Sequence, residues 1–175
     1  MTCAPVKLVI RPETPSDFED IRQMTERAFR GKRYSDGNEQ HVADALRDAG
    51  ALTLSLVAED GGAIIGHVAF SPAFAADGTA GWYTLAPISV DPPRQRQGVG
   101  TALIREGVRR LGALGARGCI VLGDTGYYPR HGFVPRPDLA PPGELAEHYM
   151  VLTLDGRPAE TRVDFHDIFR ELENQ

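Results

Sequence analysis

Residues 95–100 read Gln95-Arg96-Gln97-Gly98-Val99-Gly100, and their types and spacing suit the holding of an anion. Two glycines let the backbone approach a ligand with no Cβ in the way. The run stands between a strand-like stretch, Trp82 to Val90, and a helix-like stretch, Thr101 to Leu114. Free N–H groups opening such a helix point at an anion, and the helix dipole adds to the attraction. A P-loop would need Gly-Lys-Ser/Thr, and no such triplet follows Gly100. The dinucleotide fingerprint would need a third glycine where Leu103 stands. What remains is Gln-x-x-Gly-x-Gly, on Gln95, Gly98 and Gly100. On the two glycines alone, the plain alternative is a softened helix start that binds nothing.

A second segment narrows the choice. From Arg117 the chain runs Gly118-Cys119-Ile120-Val121-Leu122-Gly123-Asp124-Thr125-Gly126-Tyr127-Tyr128-Pro129-Arg130-His131-Gly132-Phe133. An apolar strand ends in a Gly-Asp turn, then a short helix over Tyr127 to His131 carries two tyrosines, and Gly-Phe follows. The Gln-x-x-Gly-x-Gly run resembles the acyl-CoA pyrophosphate motif of the GNAT superfamily of N-acetyltransferases. Tyr128 to Phe133 matches that family's Tyr-x-x-x-Gly-Phe run. The Gly-Asp-x-x-Tyr-Tyr-Pro-Arg wording is similar to the YhbS-like branch of the family. The resemblance covers about residues 6–155.

The resemblance implies acetyl-CoA as acyl donor co-substrate, with no metal. It implies that Gln95, Arg96, Gln97, Gly98, Val99, Gly100 and Thr101 wrap the pyrophosphate, largely through backbone N–H groups. Ile88, Ser89 and Val90 would lie along the pantetheine arm, with the backbone of Ile88 and Val90 pairing its amides as an added strand does. The N–H of Ile88 would polarise the thioester carbonyl. Tyr128 would protonate the leaving thiolate, a plausible transfer from a phenol of pKa near 10 to a thiolate near 8.5. Tyr127 is its competitor, turned roughly 100° away if the segment is helical. Either ring could instead be core.

The proton acceptor has no motif. A lysine-type amine costs about 4.6 kcal/mol to hold neutral at pH 7, an α-amine about 1.4 kcal/mol, so a base matters for the first and hardly for the second. His67, before Ser71-Pro72, and Glu39, at the start of the second helix, are the candidates. A strand histidine is more often structural. Asp124 is expected to cap the Tyr127–His131 helix. Many GNAT proteins have an asparagine further ahead of the tyrosine, and the turn here is too short to match it.

Length and composition set bounds. One domain is expected over residues 1–175, with a core at about 6–155 and a C-terminal extension at 156–175. Hydrophobic residues at 42% and charged ones at 25% are ordinary for a globular protein. A net charge of −5 argues against a nucleic-acid partner. Arg94, Arg96, Arg105, Arg109 and Arg110 surround the cradle, and the last two are expected to be a solvated helix face. Cys3 and Cys119 make no disulfide framework, and the histidines at 41, 67, 131, 148 and 166 lack metal-ligand spacing. No run is apolar enough to span a membrane and no secretion signal opens the chain, so the cytoplasm is the expected address.

The elements that must position these residues follow from pattern. Val6 to Ile10 predicts a strand. Thr14, Pro15 and Asp17 start a helix whose buried face is Phe18, Ile21, Met24, Thr25 and Ala28. After a loop at 31–38, Asn38 is expected to cap a second helix with stripe Val42, Ala45, Leu46 and Ala49, stopped by Gly50. Leu52 to Ala58 and Ala63 to Phe70 form a hairpin around Asp60-Gly61-Gly62, with Pro72 ending the return strand or marking a bulge. A turn at Asp77-Gly78 leads to Trp82–Val90. Pro87 inside that strand fits the β-bulge that GNAT proteins share, or else marks a short strand starting at Ile88. Val99, Leu103, Val108, Leu111 and Leu114 form the core face of the long helix. Gly118 to Leu122 is a buried parallel strand, completing a right-handed βαβ unit. Residues 135–143 are loop, 148–154 a last strand, and 165–172 a short helix. The expected class is α/β, a mixed and mostly antiparallel central sheet with helices on both faces: the GNAT fold.

Two readings from different classes stay open on the residues. One is an acyl-CoA-dependent N-acyltransferase acting on an amine of a small molecule, peptide or protein by direct attack in a ternary complex. The other is a non-catalytic acyl-CoA-binding sensor. A nucleotide binder is a distant third, given Leu103 and the missing lysine. Acceptor choice should sit in the first two helices and the loops at 70–81 and 135–148; Tyr34, Asp36 and Glu39 could receive a cation or be an exposed acidic loop. No nucleic-acid or membrane partner is expected, and a homodimer is left open.

Overall fold

The computed structural model describes residues 7–175. Val6 of the first expected strand, and Cys3, lie outside the described residues. Strand β1 (Leu8–Pro12) leads through a 3-10 turn, Pro15–Asp17, into α1 (Phe18–Phe29) and then α2 (Glu39–Asp48). Strands β2 (Leu54–Asp60), β3 (Ala63–Ala75) and β4 (Trp82–Val90) form an antiparallel meander, and α3 (Val99–Ala113) crosses to β5 (Gly118–Leu122). A 3-10 turn at Tyr128–His131 leads to β6 (Val134–Pro135); β7 (Tyr149–Thr153), β8 (Val163–Asp164) and α4 (Asp167–Glu173) follow. The sheet order is β1-β2-β3-β4-β5-β7-β6, with β8 on the far end of β3. Among the described pairs only β4 and β5 are parallel, as a crossover helix requires.

The period-two alternation of β3 sorts the helices to opposite faces. Gly66 faces α3, where an added Cβ would fall 2.8 Å from Val99 and 2.9 Å from Leu103. Gly107 lets α3 settle onto Phe70, with only 2.3 Å left for a Cβ. His67, between them in the alternation, points the other way, toward α1. There Ile21 and Met24 pack on Val57 and Ile64. A third cluster lies under the C-terminal segment, where Trp82, Ile120 and Tyr149 meet Val163 and Phe165. Tyr149 donates its hydroxyl to the Val163 carbonyl at 2.8 Å, pinning β8 to the core.

Several expectations are corrected. The side chain of Asn38 makes no cap; its Nδ2 donates to the Leu172 carbonyl at 3.3 Å, tying α2 to α4, while Glu39 accepts the Asp36 N–H at 3.1 Å. Ala43 rather than Ala49 belongs to the buried stripe of α2, because the helix turns its face before Gly50. Leu114 is 60% exposed, since α3 ends at Ala113 and Leu114 already belongs to the turn. Pro72 neither ends β3 nor bulges it: it pairs with Tyr83 in a strand that continues to Ala75. The two-residue strands β6 and β8 are too short to leave a periodic signal.

Candidate active site

The site is built where β4 parts from β5. The two strands pair only at Trp82–Gly118, Tyr83–Cys119 and Thr84–Ile120. Beyond Thr84 they diverge. The cause lies on the β3 side, where Val68 faces Ile88 and Phe70 faces Leu85. Ala86 and Pro87 therefore stand opposite the single residue Ala69, which is the bulge expected at Pro87. The Ala86–Pro87 peptide is cis.

Past the bulge the direction of each backbone group can be worked out. The Asp91 N–H donates to the Ile65 carbonyl at 2.9 Å, so Asp91 faces β3. Alternation then turns Val90 and Ile88 toward the open edge and Ser89 back toward β3. The Ser89 hydroxyl lies 3.0 Å from that of Thr25 on α1. Ile88 and Val90 thus have backbone free for an added extended chain. Ser89, expected beside them, faces away in both backbone and side chain.

The open edge is not bare. Gln95 Nε2 donates to the Val90 carbonyl at 3.0 Å, and Gln97 Nε2 to the Pro93 carbonyl at 3.2 Å. These side chains brace the loop and leave its N–H groups to the cradle. Gly98 and Arg96 both adopt positive φ, 83° and 62°. For glycine this conformation is free, while for arginine it costs roughly 1 kcal/mol, strain of the kind ligand-binding turns hold. The first N–H groups of α3 are unpaired by helix geometry. Arg94 pairs with Asp60 at 2.8 Å, and Arg109 and Arg110 both hold Glu106, so the last two are the structural face anticipated for them.

The tyrosines divide the space above. Asp124 accepts the Gly126 N–H on Oδ1 at 2.7 Å, and its carbonyl accepts the N–H groups of Tyr127 and Tyr128. It builds the turn that presents them rather than capping the 3-10 helix, which starts at Tyr128. Tyr128 is buried at 8% exposure, edge-on to Phe133 and Tyr127, and packed against Gly123, where a Cβ would fall 2.3 Å from the ring. Burial pushes its phenol well above the ordinary tyrosine value; Tyr127, Cys119, Tyr34 and Asp124 add smaller pushes the same way. Tyr127 is half-buried. Its hydroxyl stands over the cradle, 2.9 Å from where a Gly100 Cβ would be. Its pKa is also raised by burial, partly offset by Thr101 and Arg130.

The two base candidates are separated from this cleft in different ways. His67 is wholly buried, with Nε2 2.8 Å from Ser55 Oγ and 3.8 Å from Glu13. Burial first, and Arg47 second, push its pKa down to about 3. It is a neutral core histidine on the α1 side. Glu39 is held by Ser35 Oγ at 2.9 Å and lines a cavity of about 200 Å³ beside Pro87. A larger cavity, about 350 Å³, lies at the start of β4 beside Trp82, where the strands are still paired and no cradle is near. Sequence reasoning missed three features: the Gln95 brace, the Tyr127 hydroxyl above Gly100, and the cavity that α4 closes. The motif glutamine was a signal for the first only.

A bulged strand, a parted parallel pair and a glycine-opened helix together make a slot for an extended chain beside a cradle for an anion. The chain belongs to the acetyltransferase (GNAT) family, whose profile matches residues 18–133. It is 37% identical to the N-acetyltransferase YhbS of Escherichia coli K12 over 143 residues, 81% of this chain and 77% of that protein. Among solved structures it resembles a GNAT acetyltransferase from Brucella melitensis in complex with acetyl-CoA, at 45% identity and TM-score 0.81, covering 93% of this chain and 97% of that one. It also resembles Escherichia coli YhbS in complex with CoA, at 30% identity and TM-score 0.83, covering 97% and 96%. The chain is therefore an acyltransferase of the N-acetyltransferase class, with acetyl-CoA as donor. No described helix is long and apolar enough to cross a membrane.

Proposed function

We propose that the enzyme acetylates a primary amine by direct attack in a ternary complex, with Tyr128 as the acid. The observation that carries this reading is the placement of Tyr128, a buried phenol packed edge-on to Tyr127, whose own hydroxyl stands over the cradle at Gly100. Acetyl-CoA supplies the activated acetyl thioester. The N–H groups of Arg96 to Thr101 hold its pyrophosphate. The open edge at Ile88 and Val90 aligns its arm, with Val90 released from Gln95 as the arm enters. The N–H of Ile88 stabilises the negative charge that develops on the carbonyl oxygen. As the amine nitrogen bonds to the carbonyl carbon and the carbon–sulfur bond breaks, Tyr128 gives its proton to the sulfur. The amine proton leaves to water, because His67 is sealed in the core.

Calorimetric titration with acetyl-CoA, with NAD and ATP as controls, followed by CoA release across a panel of amines, tests this reading. Selective acetyl-CoA binding with amine-dependent release is expected. Release that is the same with and without amine would overturn it.

A further inference from the structure

Resting on the acetyl-transfer reading above, we propose that α4 is the acceptor-selecting wall of the active site, and that the acceptor is a small amine bearing a second positive charge. The cavity of about 200 Å³ touches Ala86 and Pro87, the bulge residues at which the strands begin to part. It is thus a hollow beside the bulge, next to the strand whose Ile88 is assigned to the thioester carbonyl. Its other walls come from two remote parts of the chain. Asp36 and Glu39 arrive from the start of α2, and Phe169 and Glu173 from α4.

These walls are fixed to one another. Asn38 Nδ2 holds the Leu172 carbonyl, so α4 docks on the start of α2. Phe169 anchors α4 through Phe165, whose ring centroid is 6.1 Å away and which is itself core. Asp36 and Glu39 are set in place from within their own loop, through the Asn38 N–H and Ser35.

The composition of the hollow then selects. The bulge and Phe169 offer apolar surface to an aliphatic spacer, while carboxylates at the far wall favour a cation. An amine that reacts must be neutral, so it gains nothing from those carboxylates at its reacting end. A second cationic nitrogen does. The volume suits a free small molecule.

The test is steady-state acetylation of n-butylamine and the corresponding terminal diamine, using the full chain and its Glu173→Gln and Glu173→Lys variants. Glu173 is exposed near the end of the chain, so neither variant threatens the fold. The diamine is expected to have the lower KM. Glu173→Gln is expected to raise that KM about fivefold and Glu173→Lys further, the size of a solvent-exposed ion pair, with acetyl-CoA affinity unaltered by calorimetry. Equal effects on both amines, or none, would overturn the wall. Acetylation of lysine peptides with no turnover of either amine would overturn the acceptor class. Failure of acetyl-CoA to bind, or of any amine to release CoA, would instead fall on the transfer reading itself.

Discussion

Tyr128 is buried among rings that fix its phenol in place; burial keeps that phenol protonated under alkaline conditions but also makes it a weaker acid, so transfer to sulfur depends on position rather than on acid strength. Tyr128→Phe keeps the packing and removes the proton, so kcat should fall by about 100-fold, the usual lower bound for a positioned acid, with acetyl-CoA affinity retained in calorimetry. Unchanged turnover would strip Tyr128 of the role. The pH profile offers a second check. The rising limb should follow the acceptor amine, and no falling limb should appear up to the ordinary tyrosine value near 10, because the acid form persists beyond it. His67 acts on stability instead. Its folded pKa lies near 3, below its ordinary value of 6.5, so the unfolded chain binds a proton that the folded chain refuses between those limits. Stability should be whole above pH 6.5 and decline as pH falls toward 3. In urea titrations His67→Gln should flatten that decline; an unaltered slope would contradict the burial argument.

At the scale of elements, α3 is held by two glycine contacts and opens on a third glycine. Gly107→Ala places a methyl against Phe70 at a site with no spare room. It should cost about 1–3 kcal/mol of stability, seen in denaturant midpoints, while the cradle is untouched. Gly100→Asp acts in the reverse sense. Its new Cβ meets the Tyr127 hydroxyl, and its charge faces the pyrophosphate. Acetyl-CoA binding should weaken by more than tenfold in calorimetry, and normal binding would mean that the cradle lies elsewhere. Much at this scale was legible in the sequence. Strand β4, helix α3 and the tyrosine turn each announce themselves through local residue chemistry, while the bulge at Pro87 came from the family resemblance, with a short strand from Ile88 as its alternative. The direction of Ser89 was not legible, because it depends on the register with β3. Nor was the exposure of Leu114, which depends on where a helix ends to within one residue.

For the molecule as a whole, the family resemblance gave the sheet and its order of events. The placement of the C-terminal segment was not readable. Residues 156–175 read as an appendage in the sequence because their partners are distant along the chain: Val163 with Tyr149, Leu172 with Asn38. Long-range docking by a short amphipathic helix leaves no periodic mark on the partner it covers. The hollow beside the bulge was hidden for the same reason, as no single stretch of chain contains it.

The parting of β4 from β5 leaves the sheet joined across its centre by three residue pairs, with an edge beyond them that has room for an added extended chain. A donor that binds there occupies the vacancy as an additional strand does, and it binds the folded chain alone. Mass action then raises the free energy of unfolding with the logarithm of donor concentration, by about 2.7 kcal/mol at a hundred times the dissociation constant. The enzyme's melting temperature thereby becomes a gauge of acetyl-CoA supply, and destabilising changes are buffered for as long as the donor is plentiful.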